Sequence, residues 1–173
     1  RHLSESGHQV TVCSLVRSPD EAEEGRGIAS YCAGFRMEHV KEWVQVARMM
    51  VRLPVPNPSS MGYFYSSALA EHVRSLLNEK QWDLIFVHCS SVAQYVEHVK
   101  DIPKILDFGD MDSHKWLEYA NYKPFPLSMG YRFEGVKMLA AEKRLARRFD
   151  LCTATTRAEW ETLNGYLTGA DTG

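Results

Sequence analysis

Short runs of apolar, β-forming residues recur along the chain, separated by longer segments with helical periodicity. The run from Trp82 to His88 is almost continuously apolar, which is typical of a strand covered on both faces of a sheet. Other predicted strands occupy residues 9–16, 35–40, 104–108 and 151–155. Predicted helices occupy residues 41–53, 67–80, 92–99, 127–149 and 157–163. This alternation predicts an α/β fold, a Rossmann-like parallel sheet with helices on both faces.

Two stretches lack a clear periodic pattern. Residues 17–26 are charged and predict a flexible loop, followed by a short helix over 28–33. Prolines at 54, 56 and 58 end a helix and predict a second loop over 57–65, which is rich in serine and aromatic residues.

Composition narrows the class of partner. The chain has 173 residues, which predicts one domain, and its 20 Lys plus Arg against 22 Asp plus Glu give a net charge of −2. No general positive field favours nucleic acid as a partner. We therefore expect no nucleic acid partner, and the oligomeric state is left open.

The four cysteines and the hydropathy indicate a cytoplasmic protein. Cys13, Cys32, Cys89 and Cys152 form no C-x-x-C pair and are expected to be free thiols rather than a disulfide or zinc framework. No apolar run approaches the roughly 18 residues of a membrane span, and no secretory leader is visible.

The first seven residues resemble the end of a helix, with Gly7 where a helix stops. We therefore expect that a segment belonging in front of Arg1 is missing.

A dense polar cluster follows the predicted strand 104–108, where ligands bind in parallel sheets. Asp110 and Asp112 are candidate catalytic carboxylates, able to act as a general base toward a hydroxyl or to bind sugar hydroxyls. Trp116 offers an apolar face to a sugar ring. The alternatives are that Asp112 or Ser113 only caps the next helix, that Asp110 and Asp112 chelate a divalent ion, or that they serve a phosphatase.

Three further features carry open alternatives. Ser90 and Ser91 follow the most apolar strand and either line the crevice or cap a helix. Glu142 lies near the apolar stripe of its helix and needs a partner, either a structural arginine or a ligand. The basic residues of the helix 127–149 are explained by a solvated face, and the apolar stripe of the helix 41–53 by core packing. The alternative for both helices is contact with anionic headgroups.

Several motifs together resemble the N-terminal half of bacterial family-4 (group 1) glycosyltransferases. The likeness is closest to the sugar transferases associated with PEP-CTERM exopolysaccharide systems. The motifs are residues 90–96 (SSVAQYV), 107–116 (DFGDMDSHKW) with Tyr119, 131–135 (YRFEG), 142–143 (EK) and 148–150 (RFD).

This resemblance implies half of a GT-B fold, in which two Rossmann-like domains face a cleft. The activity implied is transfer of a sugar from a nucleotide-sugar donor to a hydroxyl on a glycan or lipid-linked acceptor, with no metal and no cofactor required. Carried over to this chain, the residues expected near the acceptor or lining the cleft are Ser90, Ser91, Ser113, His114, Lys115, Trp116 and Glu142, beside the candidate catalytic Asp110 and Asp112.

The resemblance also implies what is missing. Members of the family begin with a strand and a glycine-rich loop before the helix that ends at Gly7 here, and we expect that this first strand is missing in front of Arg1. In the 3-2-1-4-5-6 strand order of this fold that strand is central, so its absence predicts a gap between the strands of residues 8–16 and 82–88. Residues 1–173 are expected to be one partial N-terminal domain, ending at Gly169 to Gly173 where the link to a donor-binding domain would begin. We therefore expect a fragment that is inactive alone, from an enzyme of exopolysaccharide or cell-surface glycan synthesis in the cytoplasm. Peripheral contact with the inner face of the membrane is left open. The alternative is a non-catalytic α/β module that binds a phosphorylated or lipid-linked partner through its basic helix.

Overall fold

Five parallel strands run through the computed structural model, which describes residues 1–168. The strands are β1 (Thr11–Val16), β2 (Gly34–His39), β3 (Ile85–His88), β4 (Lys104–Asp107) and β5 (Leu151–Thr153). The helices are α1 (His2–Glu5), α2 (Pro19–Ala29), α3 (Glu42–Arg52), α4 (Ser59–Tyr63), α5 (Ser67–Glu79), α6 (Asp112–Tyr122), α7 (Leu127–Ala146) and α8 (Arg157–Thr168), with a 3₁₀ helix at Ser90–Tyr95. The expected link at residues 169–173 lies outside the described residues.

The strands form two parallel sheets. β1 pairs with β2, and β3, β4 and β5 pair in that order. Helices lie on both sides of these sheets, which confirms the predicted Rossmann-like α/β fold. Within residues 1–168 no ladder joins β1 to β3, in agreement with the break predicted between these strands.

The core lies between the three-stranded sheet and α7. Leu106 at the centre of β4 is fully buried, as are Met138, Ala141 and Leu145, which follow one another at helical spacing along one face of α7. Cys13 and Leu15 of β1 pack against the same core. The apolar face of the longest helix therefore fixes the sheet whose strand ends carry the candidate site.

The predicted loop over 17–26 and the short helix over 28–33 are wrong, because α2 covers Pro19–Ala29. The Ser18 hydroxyl accepts the Glu21 N–H at 3.1 Å, and Pro19 occupies the first helical position. A capping serine followed by proline and an acidic first turn starts this helix despite the glycines at 25 and 27.

Smaller differences concern three other segments. The predicted loop 57–65 contains the short helix α4, because the buried Glu134 carboxylate accepts hydrogen bonds from Ser59 Oγ and the Ser60 N–H at 2.6 and 2.8 Å. The helix predicted over 92–99 is the 3₁₀ helix, entered through Cys89 at φ +79°. Helix α7 ends at Ala146 rather than at residue 149. Among the described helices, none is both long enough and apolar enough to cross a bilayer.

Candidate functional site

The last residues of three neighbouring strands meet at the carboxyl edge of the sheet. His88, Asp107 and Thr153 end β3, β4 and β5 and lie side by side in the strand register. Nδ1 of His88 lies 2.8 Å from Asp107 Oδ2, and Thr153 Oγ1 donates to Asp107 Oδ1 at 2.8 Å. Parallel pairing thus assembles a hydrogen-bonded cluster from residues far apart in the sequence.

The cluster determines which ring nitrogen of His88 carries a proton. The hydrogen bond from His88, followed by that from Thr153, lowers the pKa of the Asp107 carboxyl, so this group is ionised at neutral pH. An ionised carboxylate only accepts hydrogen bonds, so Nδ1 of His88 carries the proton. With that proton on Nδ1, the ring position open to a ligand is Nε2, and the side chain is 72% exposed. Such a histidine can take a proton from a bound hydroxyl.

Gly109 brings the next loop close to this pair. Its φ of +63° lies in the left-handed region that favours glycine, and its N–H donates to Asp107 Oδ1 at 3.4 Å. A Cβ on this residue would lie 3.7 Å from Cε1 of His88. The backbone therefore borders the histidine directly.

The loop that carries Asp110 is held by the start of α8. The Met111 N–H donates to Glu159 Oε1 at 3.2 Å. The other oxygen of Glu159 accepts from the Thr156 N–H and hydroxyl at 3.0 and 2.8 Å. This bridge fixes the loop between β4 and α6 relative to β5.

The two candidate catalytic carboxylates differ in environment. Asp110 is exposed and makes no hydrogen bond within the described residues, whereas Asp112 is half-buried and accepts from Ser90 Oγ at 3.2 Å. Burial raises the pKa of Asp112, and the charge of Asp110 adds to this rise. Asp110 is therefore the carboxylate more available to a ligand.

Glu142 is fully buried and has internal partners. Its carboxylate accepts the Ser113 N–H at 2.9 Å and the Ser113 hydroxyl at 2.5 Å, and the Tyr166 hydroxyl lies 3.3 Å away. Burial raises the pKa of Glu142 to about 7. Within the protein its partners are two hydroxyls and the first turn of α6, and not an arginine. Contact of Ser113 and Glu142 with an acceptor stays a prediction.

The other expected cleft residues occupy two environments. Ser90 and Ser91 are buried in the 3₁₀ helix, whereas His114 and Lys115 are exposed on the first turn of α6. Trp116 is half-buried, and its ring centroid lies 5.3 Å from that of Tyr131 on α7. The structure therefore brings Ser90 to Asp112 and Ser113 to Glu142 but leaves Asp110, His114 and Lys115 open to solvent.

The cluster of His88, Asp107 and Thr153 is not among the sites predicted from the sequence. Each residue ends a strand, and that position was the available signal. Their contact depends on strand order, which periodicity does not report.

The basic helix α7 uses several of its cations inside the protein. Lys137 is buried and pairs with Glu134 at 3.0 Å, while Arg144, and Arg148 just beyond the end of the helix, pair with Glu97 at 2.8 and 3.2 Å. Burial alone would raise the pKa of Glu134, but hydrogen bonds led by that from Ser59 lower it on balance. Within residues 1–168, no group of three or more His, Cys, Asp or Glu side chains is arranged to hold a metal ion.

Comparison with known proteins gives one match. Residues 1–169 match the family model described as a glycosyl transferase 4-like domain. No curated protein and no solved structure matches the chain.

Proposed function

Because the chain belongs to the glycosyl transferase 4-like family, we propose that it forms the acceptor-side half of an enzyme that transfers a sugar to a hydroxyl. The donor is a nucleotide sugar and the acceptor is a glycan or a lipid-linked sugar. We place the reaction in exopolysaccharide or cell-surface glycan synthesis, following the resemblance to the PEP-CTERM-associated transferases. The donor would be held by a second domain that faces the carboxyl edge of the sheet.

The observation that carries this proposal is the hydrogen-bonded cluster at the carboxyl edge. Asp107 orients His88 with Nε2 toward solvent, and Gly109 keeps the neighbouring backbone close. We assign His88 the role of proton acceptor toward the attacking hydroxyl. Asp107 acts as its positioning residue, by the same logic that fixes the tautomer of a catalytic histidine in hydrolases.

Asp110 and Asp112 keep separate roles in the proposal. Asp110, exposed beside the cluster, binds sugar hydroxyls or serves as a second base. Asp112, held by Ser90, supports the start of α6 and the loop before it. Lys115, His114 and Trp116 extend the binding surface along that helix. No metal and no cofactor takes part.

The test is sugar transfer by the full reading frame that encodes these residues, measured with panels of nucleotide sugars and hydroxyl acceptors. We expect His88→Ala and Asp107→Asn each to lower kcat/KM by about 10²- to 10⁴-fold, the usual contribution of a positioned base. Asp101→Asn is the matched control, because Asp101 is exposed and precedes β4 at its opposite end. It should leave kcat/KM unchanged.

Two results would contradict the proposal. Full transfer activity in His88→Ala would show that the histidine has no role in the reaction. Transfer by residues 1–173 alone would show that this half does not depend on a second domain. Magnesium-dependent phosphate release that Asp110→Asn abolishes would instead support a phosphatase. The alternative of a binding module with a basic helix has less support, because Lys137, Arg144 and Arg148 already pair with carboxylates.

A further inference from the structure

Helix α3 carries its apolar face outward. Trp43, Val46, Ala47, Met50 and Val51 follow the i, i+3, i+4, i+7, i+8 spacing of one helix face. All five side chains are exposed, with Trp43 at 71% and Val51 at 75%. The fully buried residue of this helix is polar, since Gln45 is 1% exposed. A helix packed only by burial of its apolar face would have the opposite orientation.

The polar side of α3 is fixed by specific hydrogen bonds. Gln45 Nε2 donates to the carbonyls of Tyr63 and Tyr65 at 2.5 and 3.0 Å. Arg48 also donates to the Tyr65 carbonyl, at 2.5 Å, and the Arg52 guanidinium lies 5.5 Å from the Tyr65 ring centroid. These contacts satisfy buried carbonyls and commit the apolar side chains of α3 to the surface.

A second exposed apolar stripe lies on α7 and adjoins the first. Phe133 and Val136 are exposed one turn apart on α7. The neighbouring Lys137 Nζ donates to the carbonyls of Leu53 and Val55 at 3.3 and 3.4 Å and lies 5.0 Å from the Phe133 ring centroid. The C-terminal end of α3 therefore lies next to this stripe. We call Trp43, Val46, Met50, Val51, Phe133 and Val136 together the α3–α7 face.

Charge is segregated around this face. Residues 43–70 contain no Asp or Glu, and residues 119–149 contain only Glu134 and Glu142, which are 4% and 0% exposed. Arg48 and Arg52 border the face on α3, and Arg132 precedes Phe133 on α7. None of these three arginines forms an ion pair in the part of the chain that the structure describes. The exposed residues of these two segments are therefore apolar, polar or basic, and Glu42, at the first position of α3, is an exposed carboxylate at their edge, beside Trp43.

We propose that the α3–α7 face docks onto an anionic lipid bilayer. Its apolar side chains would enter the boundary between headgroups and acyl chains, with Trp43 at headgroup depth. The bordering arginines would contact lipid phosphates, which supply the negative charge that the face lacks. Charge complementarity favours an anionic membrane as the occupant. This inference goes beyond the proposed transferase activity and does not depend on it.

The test is vesicle binding by residues 1–173, measured by co-sedimentation and by tryptophan fluorescence. The probes are vesicles of phosphatidylcholine alone and vesicles with about one third phosphatidylglycerol, a fraction that gives a strongly negative surface potential. We expect binding to the anionic vesicles only, with a blue shift of the emission. Binding should weaken as salt rises from about 0.1 M to about 1 M, because the Debye length falls from about 10 Å to about 3 Å.

Variants of exposed residues distinguish binding through the α3–α7 face from nonspecific adsorption to lipid. The double variant Trp43→Ser, Val51→Ser should lower the partition coefficient about tenfold or more, as expected for the loss of two large apolar contacts. Arg132→Glu should lower binding to anionic vesicles and keep the fold, since Arg132 is exposed. Trp160→Ser is the matched control, because Trp160 is 55% exposed on α8, outside the face.

Several outcomes would overturn the proposal. These are no binding to anionic vesicles, equal binding to neutral and anionic vesicles, and unchanged binding of the double variant. The last such outcome concerns the oligomeric state of the lipid-free chain, measured by sedimentation equilibrium. A dimer that the double variant dissociates would assign the face to a second copy of the chain instead.

Discussion

At the scale of single residues, Glu142 has the most unusual environment among the described carboxylates. It projects from α7 and accepts the Ser113 N–H in the first turn of α6, so it joins two helices at the base of the loop that carries Asp110. Its burial raises its pKa to about 7, far above the 4.5 that is ordinary for a glutamate. The hydrogen bonds from Ser113 and Tyr166 oppose this rise only in part.

The raised pKa predicts a pH dependence of stability. Between pH 4.5 and about 7 the folded state binds a proton on Glu142 that the unfolded state has released, so stability falls as pH rises through this window. The loss is up to about 3 kcal/mol, from the size of the shift. Glu142→Gln should remove it and be more stable than the wild type near pH 8.

Urea denaturation at several pH values between about 5 and 8, spanning the upper part of this window, measures the effect. Glu118→Gln serves as the control, because Glu118 is exposed on α6. An identical pH profile for Glu142→Gln and the wild type would show that Glu142 does not titrate in this range.

At the scale of elements, α3 shows that a hydrophobic pattern predicts a helix but does not predict which side of that helix is buried. Gln45 sets the orientation of the helix, because it donates to the carbonyls of Tyr63, the last residue of α4, and of Tyr65 just beyond it. A leucine at this position would restore an apolar inner side but leave the Tyr63 carbonyl without its side-chain donor, whereas Arg48 would still donate to the Tyr65 carbonyl.

We therefore expect Gln45→Leu to destabilise the protein by about 1–3 kcal/mol, the usual cost of one buried group left unsatisfied. Chemical denaturation gives the change in free energy of unfolding. Asn78→Leu is the control on α5, where the side chain is exposed, and should stay within about 0.5 kcal/mol. A gain in stability for Gln45→Leu would show that apolar burial outweighs the two hydrogen bonds.

At the scale of the whole molecule, the two sheets leave β1 and β3 each with one unpaired edge in the described residues. Ile85 N–H and Cys89 N–H bond to carbonyls on the β4 side at 2.9 and 2.8 Å. Because amides alternate in direction along a strand, those of Phe86 and His88 point away from β4. The Phe86 side chain is also exposed.

This geometry predicts fast amide exchange at Phe86 and His88 within a folded sheet. Hydrogen exchange followed by NMR should show them exchanging about 10²-fold or more faster than Leu106 in the central strand β4. Equal protection of Phe86 and Leu106 would mean that another segment pairs with β3. If the full reading frame supplies a strand at this edge, the same amides should become protected there.

The sequence by itself determined the strands, the helices with strong periodicity and the edge of the sheet where chemistry is expected, because these depend on local spacing and on burial of apolar runs. The start of α2 is also encoded locally, by Ser18, Pro19 and Glu21, although the charged composition of residues 17–26 predicts a loop.

Only the tertiary structure decided which residues meet. The cluster of His88, Asp107 and Thr153 exists because β4 lies between β3 and β5, and Glu142 finds Ser113 because α7 packs along α6. The outward face of α3 likewise depends on carbonyls 18 and 20 residues away from Gln45. Periodicity shows which positions of a helix or strand differ in polarity. The partner of each position depends on contacts between distant segments, and local spacing holds no information about those contacts.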